Sequence, residues 1–223
     1  MTEELVEGLK KLKLGALLNL VAIVVLLAGM GIVFASLMPG GQMGQMDPKN
    51  MEYMIYAASG LIIAAIIICI TAFIIGIIAY VMWFIATGHL KRHNSALGIG
   101  RTGMIFQIVA VVLLIIGFLI IIPAALTENP AAIAGAFAGL FGSIIIAFLL
   151  SLVGAILFGI MVMKLAEEPN VESGFKVTGI LYIVAIVLML IPFTGAVGCI
   201  LSLVSVILIY IFAGRSLETL TVS

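Results

Sequence analysis

The stretch GMIFQIVAVVLLIIG, residues 103–117, contains no charged side chain, and the apolar run around it extends over residues 102–126. A run of this length is long enough for an α-helix to cross the ~30 Å hydrocarbon core of a bilayer. Lys91, Arg92 and Arg101 precede the run. The stretch therefore predicts a transmembrane helix that begins next to a basic loop.

Two other parts of the chain match this stretch in residue type and spacing. They are GALLNLVAIVVLLAG, residues 15–29, and TGILYIVAIVLMLIP, residues 178–192. A Val-Ala pair falls at one offset in all three stretches, and Asn19, Gln107 and Tyr182 share another. Each stretch is preceded by basic residues and followed by a returning apolar segment, which indicates three sequential hairpin repeats. Apolar helices use few residue types, so chance similarity is the alternative interpretation.

The predicted fold is therefore an all-α membrane protein with six transmembrane helices. Their expected positions are 14–38, 54–87, 102–126, 131–165, 177–193 and 196–213. The second and fourth exceed the length that ~30 Å requires, so they must tilt, kink or protrude. A re-entrant half-helix over 131–142 is the alternative for the start of the fourth.

Three regions follow from these boundaries. Residues 1–13 form an amphipathic interfacial segment with Leu5, Leu9 and Leu12 on one face, residues 14–213 form the six-helix transmembrane domain, and residues 214–223 form a cytoplasmic tail. All Lys and Arg residues except Lys49 lie at one end of the predicted helices. Because short loops rich in Lys and Arg remain cytoplasmic, both termini are expected in the cytoplasm and the protein in the cell membrane.

Composition excludes several classes of function. The chain is 65% hydrophobic and 9% charged, unlike an ordinary soluble domain, and its net charge of zero offers no overall attraction to nucleic acid. The centres of the spans carry no ionisable residue, which argues against an energised transporter or pump. No set of catalytic groups emerges, so we expect no enzymatic activity and no cofactor. The expected partners are membrane lipids and either other membrane protein subunits or further copies of the chain.

The fourth span contains a row of small residues at strict four-residue spacing. Its members are Ala131, Gly135, Gly139, Ser143, Ala147, Ser151, Ala155 and Gly159. Small residues allow two helix backbones to approach closely, so the row predicts helix packing. A four-residue row drifts by about 40° per step, so one neighbouring helix can follow only part of it. The row is interpreted as packing within the bundle, with an oligomer contact or a narrow crevice as the alternatives.

The loop between the second and third spans is compact and basic. Its candidate anionic-lipid contacts are His89, Lys91, Arg92, His93 and Arg101. Each such charge near an anionic leaflet contributes about 1 kcal/mol to attraction, although the same residues also serve topology. His89 and His93 are four residues apart but have no further ligands in the sequence, so no metal site is predicted there. Met-x-x-Met pairs in the outer loop, such as Met43 and Met46, suit Cu(I), or else serve as flexible apolar filler.

The segment EGLKKLKLG, residues 7–15, and the Ile- and Val-rich hairpins that end in IPFTG, residues 191–195, resemble archaeal multi-pass membrane proteins of unknown function. The resemblance covers most of the length and implies membrane topology and location, but no activity. The leading hypothesis for function is a membrane-embedded accessory or scaffold subunit. A passive channel or facilitator for a small solute, with its path near the fourth span, is the alternative, and soft-metal binding by the outer loop is a remote one.

Overall fold

The computed structural model describes residues 2–37, 48–126, 129–191 and 193–222, and within these ranges it contains helices and turns but no strand. The six helices, in chain order, are α1 (Thr2–Leu37), α2 (Pro48–His93), α3 (Gly98–Leu126), α4 (Pro130–Leu165), α5 (Gly174–Met189) and α6 (Gly195–Val222). A short 3₁₀ turn, Ser95–Leu97, connects α2 to α3. The prediction of an all-helical protein is confirmed for this part of the chain.

Five of these helices (α1, α2, α3, α4 and α6) are long and apolar enough to cross a membrane. The predicted fifth span corresponds to α5, which has only 16 residues and rises about 24 Å. It ends early because the chain turns at Leu190, whose amide donates to the carbonyl of Val187, and because the Thr194 hydroxyl donates to the carbonyl of Leu188. The helix observed here is therefore shorter than the span expected at 177–193.

At both ends of the chain, a helix continues across a boundary expected from the sequence. The segment 1–13 was expected as a separate interfacial helix, but α1 runs unbroken from Thr2. The expected tail, 214–223, is the end of α6 as far as Val222. The fourth helix, by contrast, is continuous over the expected 131–165, without the half-helix that was the alternative over 131–142. It begins where the Asn129 side chain accepts a hydrogen bond from the amide of Ala131.

The described residues form two compact units, Met1–Lys13 with Trp83–Ser223 and, separately, Leu14–Met82. In the first, Leu5, Leu9 and Leu12 are buried, and the Gly8 backbone lies against Ala86 and Leu90 of α2. Protein, rather than a membrane surface, therefore covers the leucine face of α1. The largest fully buried side chains of this unit lie towards the helix ends that carry the basic residues, and include Leu90, Leu97, Met104, Phe158, Met161, Leu165, Phe175 and Ile209.

In the second unit, α1 and α2 meet at Gly29, where an added Cβ would lie 3.0 Å from Cγ2 of Ile68 and 3.2 Å from the Cys69 sulfur. The predicted methionine-rich loop lies mainly outside the described residues, since Met38, Met43 and Met46 fall in the gap before α2.

Consecutive helices in the first unit pack antiparallel through small residues. Gly103 of α3 and Gly154 of α4 face each other backbone to backbone, and a Cβ at Gly154 would lie 2.5 Å from the carbonyl oxygen of Gly103. On the next pair, a Cβ at Gly179 of α5 would lie 2.5 Å from the carbonyl oxygen of Gly159 of α4. Such approaches leave no room for a side chain, so glycine permits the contact.

Candidate functional site

The end of α2 carries two histidines one turn apart, and each contacts a carboxylate from a distant part of the sequence. Nδ1 of His89 lies 2.6 Å from Oε2 of Glu4 in α1. Nε2 of His93 lies 3.0 Å from Oε2 of Glu168, which follows α4, and Nδ2 of Asn94 donates to Oε1 of the same carboxylate at 2.6 Å. Side-chain contacts thus join the basic end of α2 to α1 and to the segment that follows α4.

The Glu168 side chain is only 8% exposed, and that of His93 is 14% exposed. A carboxylate this well buried requires hydrogen-bond partners, and His93 and Asn94 supply them. His93, predicted as a lipid contact, therefore has a structural role in the described structure, where it joins α2 to the segment after α4.

A half-open pocket lies beside this junction, between the end of α2 and the start of α3. Its volume is about 180 Å³, and its lining residues are Phe84, Ile85, Gly88, His89, Arg92 and Arg101. The guanidinium of Arg101 lies over the ring of Phe84, 5.4 Å from the ring centroid, which is a cation–π distance. Arg92 is mostly exposed, and its Nη1 lies 3.7 Å from Oε1 of Glu4.

Gly88 shapes one wall of this pocket. Among the described residues, a Cβ added there would meet Arg101 alone, at 3.3 Å from Nη1 and 3.8 Å from the central guanidinium carbon. The missing side chain therefore lets the Arg101 guanidinium lie close to the backbone of α2. Lys91 lies elsewhere, because its side-chain carbons pack against the start of α3 at Gly98.

Of the five predicted lipid-contact residues, the structure thus brings three together in one pocket, namely His89, Arg92 and Arg101. Planar guanidinium groups match the oxygens of phosphate or carboxylate groups, so the chemistry of this pocket suits an anion. Across the described part of the chain, no three His, Cys, Asp or Glu side chains converge in a way that could hold a metal ion.

Sequence reasoning missed Glu4 and Glu168, the acidic partners of the two histidines. Glu4 precedes Leu5, so it lies next to the leucine face of residues 2–13. Had that face been assigned to the protein core, Glu4 would have been expected beside a neighbouring helix. No comparable signal marks Glu168, since its contact depends on how the turn after α4 folds.

The small-residue row of α4 is divided between buried and exposed positions. Ala147, Ala155 and Gly159 are buried and Ser143 is half-buried, whereas Ala131, Gly135, Gly139 and Ser151 are exposed. A Cβ at Gly135 or Gly139 would meet no described residue within 4 Å, so the close contact expected there is not made within the described part of the chain.

The reason for this division is helical geometry. Buried positions of α4 advance by steps of seven, four and three, as at Leu140, Ala147, Gly154, Phe158 and Met161, whereas a strict four-residue row drifts off that face. A contact of the exposed glycines with another subunit remains a prediction.

Comparisons with known proteins give one match. Among curated proteins and solved structures, no match is found. A family described as protein of unknown function (DUF973) matches residues 5–223, which is nearly the whole chain and includes His93 and every pocket residue, His89 among them, whereas Glu4 precedes the match. By this match over α1 to α6, the chain belongs to the DUF973 family of proteins of unknown function.

Proposed function

We propose that the chain is a non-enzymatic integral protein of the cell membrane that serves as an accessory or scaffold subunit, packing against lipid and partner membrane proteins. The observation that carries this proposal is the filled interior at the basic end of the first unit. A scaffold needs a rigid, closed core, whereas a channel needs a continuous path lined by polar groups.

Three aromatic rings fill this interior. Trp83 of α2 stacks on Phe158 of α4 with centroids 5.1 Å apart, and Tyr182 of α5 meets Phe158 at 5.6 Å in an edge-to-face arrangement. The indole Nε1 of Trp83 donates to the carbonyl of Leu12 in α1 at 3.2 Å. Because four helices meet at these rings, the space through which a solute would pass is occupied by packed side chains.

Three of the four buried Thr and Ser hydroxyls described in this unit bond to their own helices, and the fourth, Ser216, accepts from the amide of Glu172 at 3.0 Å. Thr87 donates to the carbonyl of Phe84 at 2.8 Å, Thr178 to that of Gly174 at 2.9 Å, and Ser205 to that of Leu201 at 2.8 Å. Hydroxyls bonded in this way are not directed towards a passing solute. This arrangement supports the scaffold over the passive channel.

The outward faces of α3 and α4 supply surface for lipid and for partner subunits. Large apolar side chains such as Phe118, at 59% exposure, and Phe141, at 64%, are uncovered within the chain. Contiguous apolar surface of this kind indicates contact with a membrane or with another protein.

We further propose six spans in three repeated hairpins, with both termini cytoplasmic. A recurring burial pattern supports the repeats: Gly15, Gly103 and Thr178 are all buried, and so are the alanines seven residues later, Ala22, Ala110 and Ala185. In the first two hairpins the glycine that ends the stretch, Gly29 or Gly117, lies against the returning helix. A helix as short as α5 can cross if the bilayer thins locally, at a modest cost in free energy.

The test compares assembly with permeability. The full chain, extracted in a mild detergent, is expected to have a native mass above that of a monomer or to co-purify with defined membrane proteins. Liposomes that contain the chain are expected to leak small neutral solutes and ions no faster than empty liposomes. Rapid solute flux through a monomeric protein would contradict the scaffold and favour the channel.

A further inference from the structure

We propose that the pocket between α2 and α3 binds the phosphate group of an anionic ligand, and that the ligand is an anionic glycerophospholipid. This binding goes beyond the scaffold role and does not depend on it. The proposal rests on the charges, the shape and the apolar wall of the pocket.

The charges of the pocket are not balanced. Two arginines, Arg92 and Arg101, line it, while within the described ranges the one carboxylate paired with a pocket residue is that of Glu4. Glu4 is shared by His89 at 2.6 Å and Arg92 at 3.7 Å. Arg101 contacts the Phe84 ring and makes no ion pair with a carboxylate in the described structure. A phosphate oxygen would supply the anion that this guanidinium group lacks.

The pocket, about 180 Å³ in volume and lined by Arg101, provides space for that anion. Gly88 allows this position of Arg101, because a Cβ there would lie only 3.3 Å from Nη1 of the guanidinium group. The pocket is half open, so a group attached to a larger molecule can enter from the side. An isolated salt-bridge cluster would not need such a space.

The apolar wall distinguishes a lipid from free phosphate. Phe84 and Ile85 lie about 10–12 Å along α2 from Arg92, on the side of the apolar run, because each residue rises 1.5 Å. Ile85 is 37% exposed, so it offers apolar surface to a ligand or to lipid. A molecule with a phosphate at one end and acyl chains at the other matches this order along the helix, whereas inorganic phosphate would leave the apolar wall unused.

The first test measures lipid retention by native mass spectrometry of the full chain in detergent micelles. Phosphatidylglycerol is the anionic lipid, phosphatidylcholine the zwitterionic comparison, and glycerol 1-phosphate and inorganic phosphate are the soluble probes. Wild-type protein is expected to retain phosphatidylglycerol in preference to phosphatidylcholine. R101Q is expected to lower the affinity for phosphatidylglycerol about tenfold, the usual effect of losing one charge-assisted contact.

The control for R101Q is R215Q, because Arg215 is an exposed arginine near the end of α6, outside the pocket, and its replacement changes the net charge equally. R215Q is expected to bind as the wild type does. An equal loss in both variants would mean general electrostatic attraction and would overturn the proposal. Displacement of the lipid by an equimolar amount of glycerol 1-phosphate or inorganic phosphate would overturn the assignment to a lipid.

Two further variants test the pocket while keeping all of its basic side chains. G88V places a branched side chain where even a Cβ would lie 3.3 Å from Nη1 of Arg101, so it displaces that guanidinium group without removing any charge. It is therefore expected to lower phosphatidylglycerol retention even if R101Q fails to fold. E4Q removes the competing carboxylate and is expected to raise retention several-fold. Unchanged retention in G88V would contradict the pocket as the binding site.

Discussion

At the scale of single residues, Phe158 links three helices of the first unit. Its ring contacts Trp83 of α2 and Tyr182 of α5, and it is 1% exposed. Phe141, on the same helix, is 64% exposed. The two phenylalanines of α4 therefore allow a buried side chain and an exposed one of the same type to be compared.

Replacement of Phe158 by alanine is expected to lower the free energy of unfolding by about 3–5 kcal/mol, since it removes a buried ring and leaves a cavity. Phe141→Ala is the matched control and is expected to change it by no more than about 0.5 kcal/mol, as for a surface position. Circular dichroism during titration of the micelle-bound protein with sodium dodecyl sulfate measures both values. Similar losses in the two variants would contradict the aromatic core.

At the scale of helices, α3 and α4 are held together by backbone approach at Gly103 and Gly154. A Cβ at Gly154 would lie 2.5 Å from the Gly103 carbonyl oxygen and 2.8 Å from Cγ of Gln107. Both of the nearer obstacles belong to α3, and one of them is backbone, so the helices themselves would have to move. Gly139, also in α4, has open space at the equivalent point.

Gly154→Ala is expected to destabilise the protein by about 1–3 kcal/mol through overpacking. Gly139→Ala, by contrast, is expected to be neutral or to stabilise by up to about 1 kcal/mol, because alanine favours the helix and meets nothing. Thermal unfolding of the two variants side by side, in one detergent, tests the pair. A variant at 154 as stable as the one at 139 would show that α3 and α4 are farther apart than described.

The sequence predicted helix type and order well because long apolar runs leave few alternatives, as in 102–126 and 131–165. The sequence-based predictions were wrong where the contacts between helices, rather than a residue pattern, determine which positions are buried. The four-residue row suggested Gly135 and Gly139 as packing points, but the 3.6-residue period of α4 turns those positions away from α3 and brings Gly154 towards it.

The same limit applies to the candidate site. The basic residues at the end of α2 were identifiable from the sequence. The sequence did not reveal which of them line a pocket and which contact a buried carboxylate. That difference depends on Glu4 and Glu168, which lie 85 and 75 residues away from their histidines.

At the scale of the whole molecule, the proposed topology places every basic loop on one side of the membrane. Two single-cysteine variants test it, Gln45→Cys in the outer loop and Ser95→Cys in the turn between α2 and α3, each in a chain whose Cys69 and Cys199 are replaced by alanine. A membrane-impermeant maleimide added to intact cells is expected to label position 45 but not position 95. Labelling of both from outside would contradict the topology.

The same approach decides whether the short helix α5 crosses. Glu167 and Phe193 are exposed on either side of it, so Glu167→Cys and Phe193→Cys report the two ends of α5. If α5 spans the bilayer, outside reagent labels position 193 alone, and position 167 reacts only after the cells are permeabilised. Equal protection or equal labelling of the two positions would reduce the count to five spans.

The packing of α1 on the end of α2 also bears on how the chain is made. Leu12 and Glu4 find their partners, Trp83 and His89, 71 and 85 residues later in the sequence. At 5–20 residues per second, a ribosome needs roughly 4 to 17 s to add that length. During those seconds the end of α2 that covers the leucine face has not been translated. We therefore expect the leucine face to bind to the bilayer surface beside the ribosome. The first turns of α1 would then begin biosynthesis as a surface-bound helix and be drawn into the protein core only once α2 has been translated.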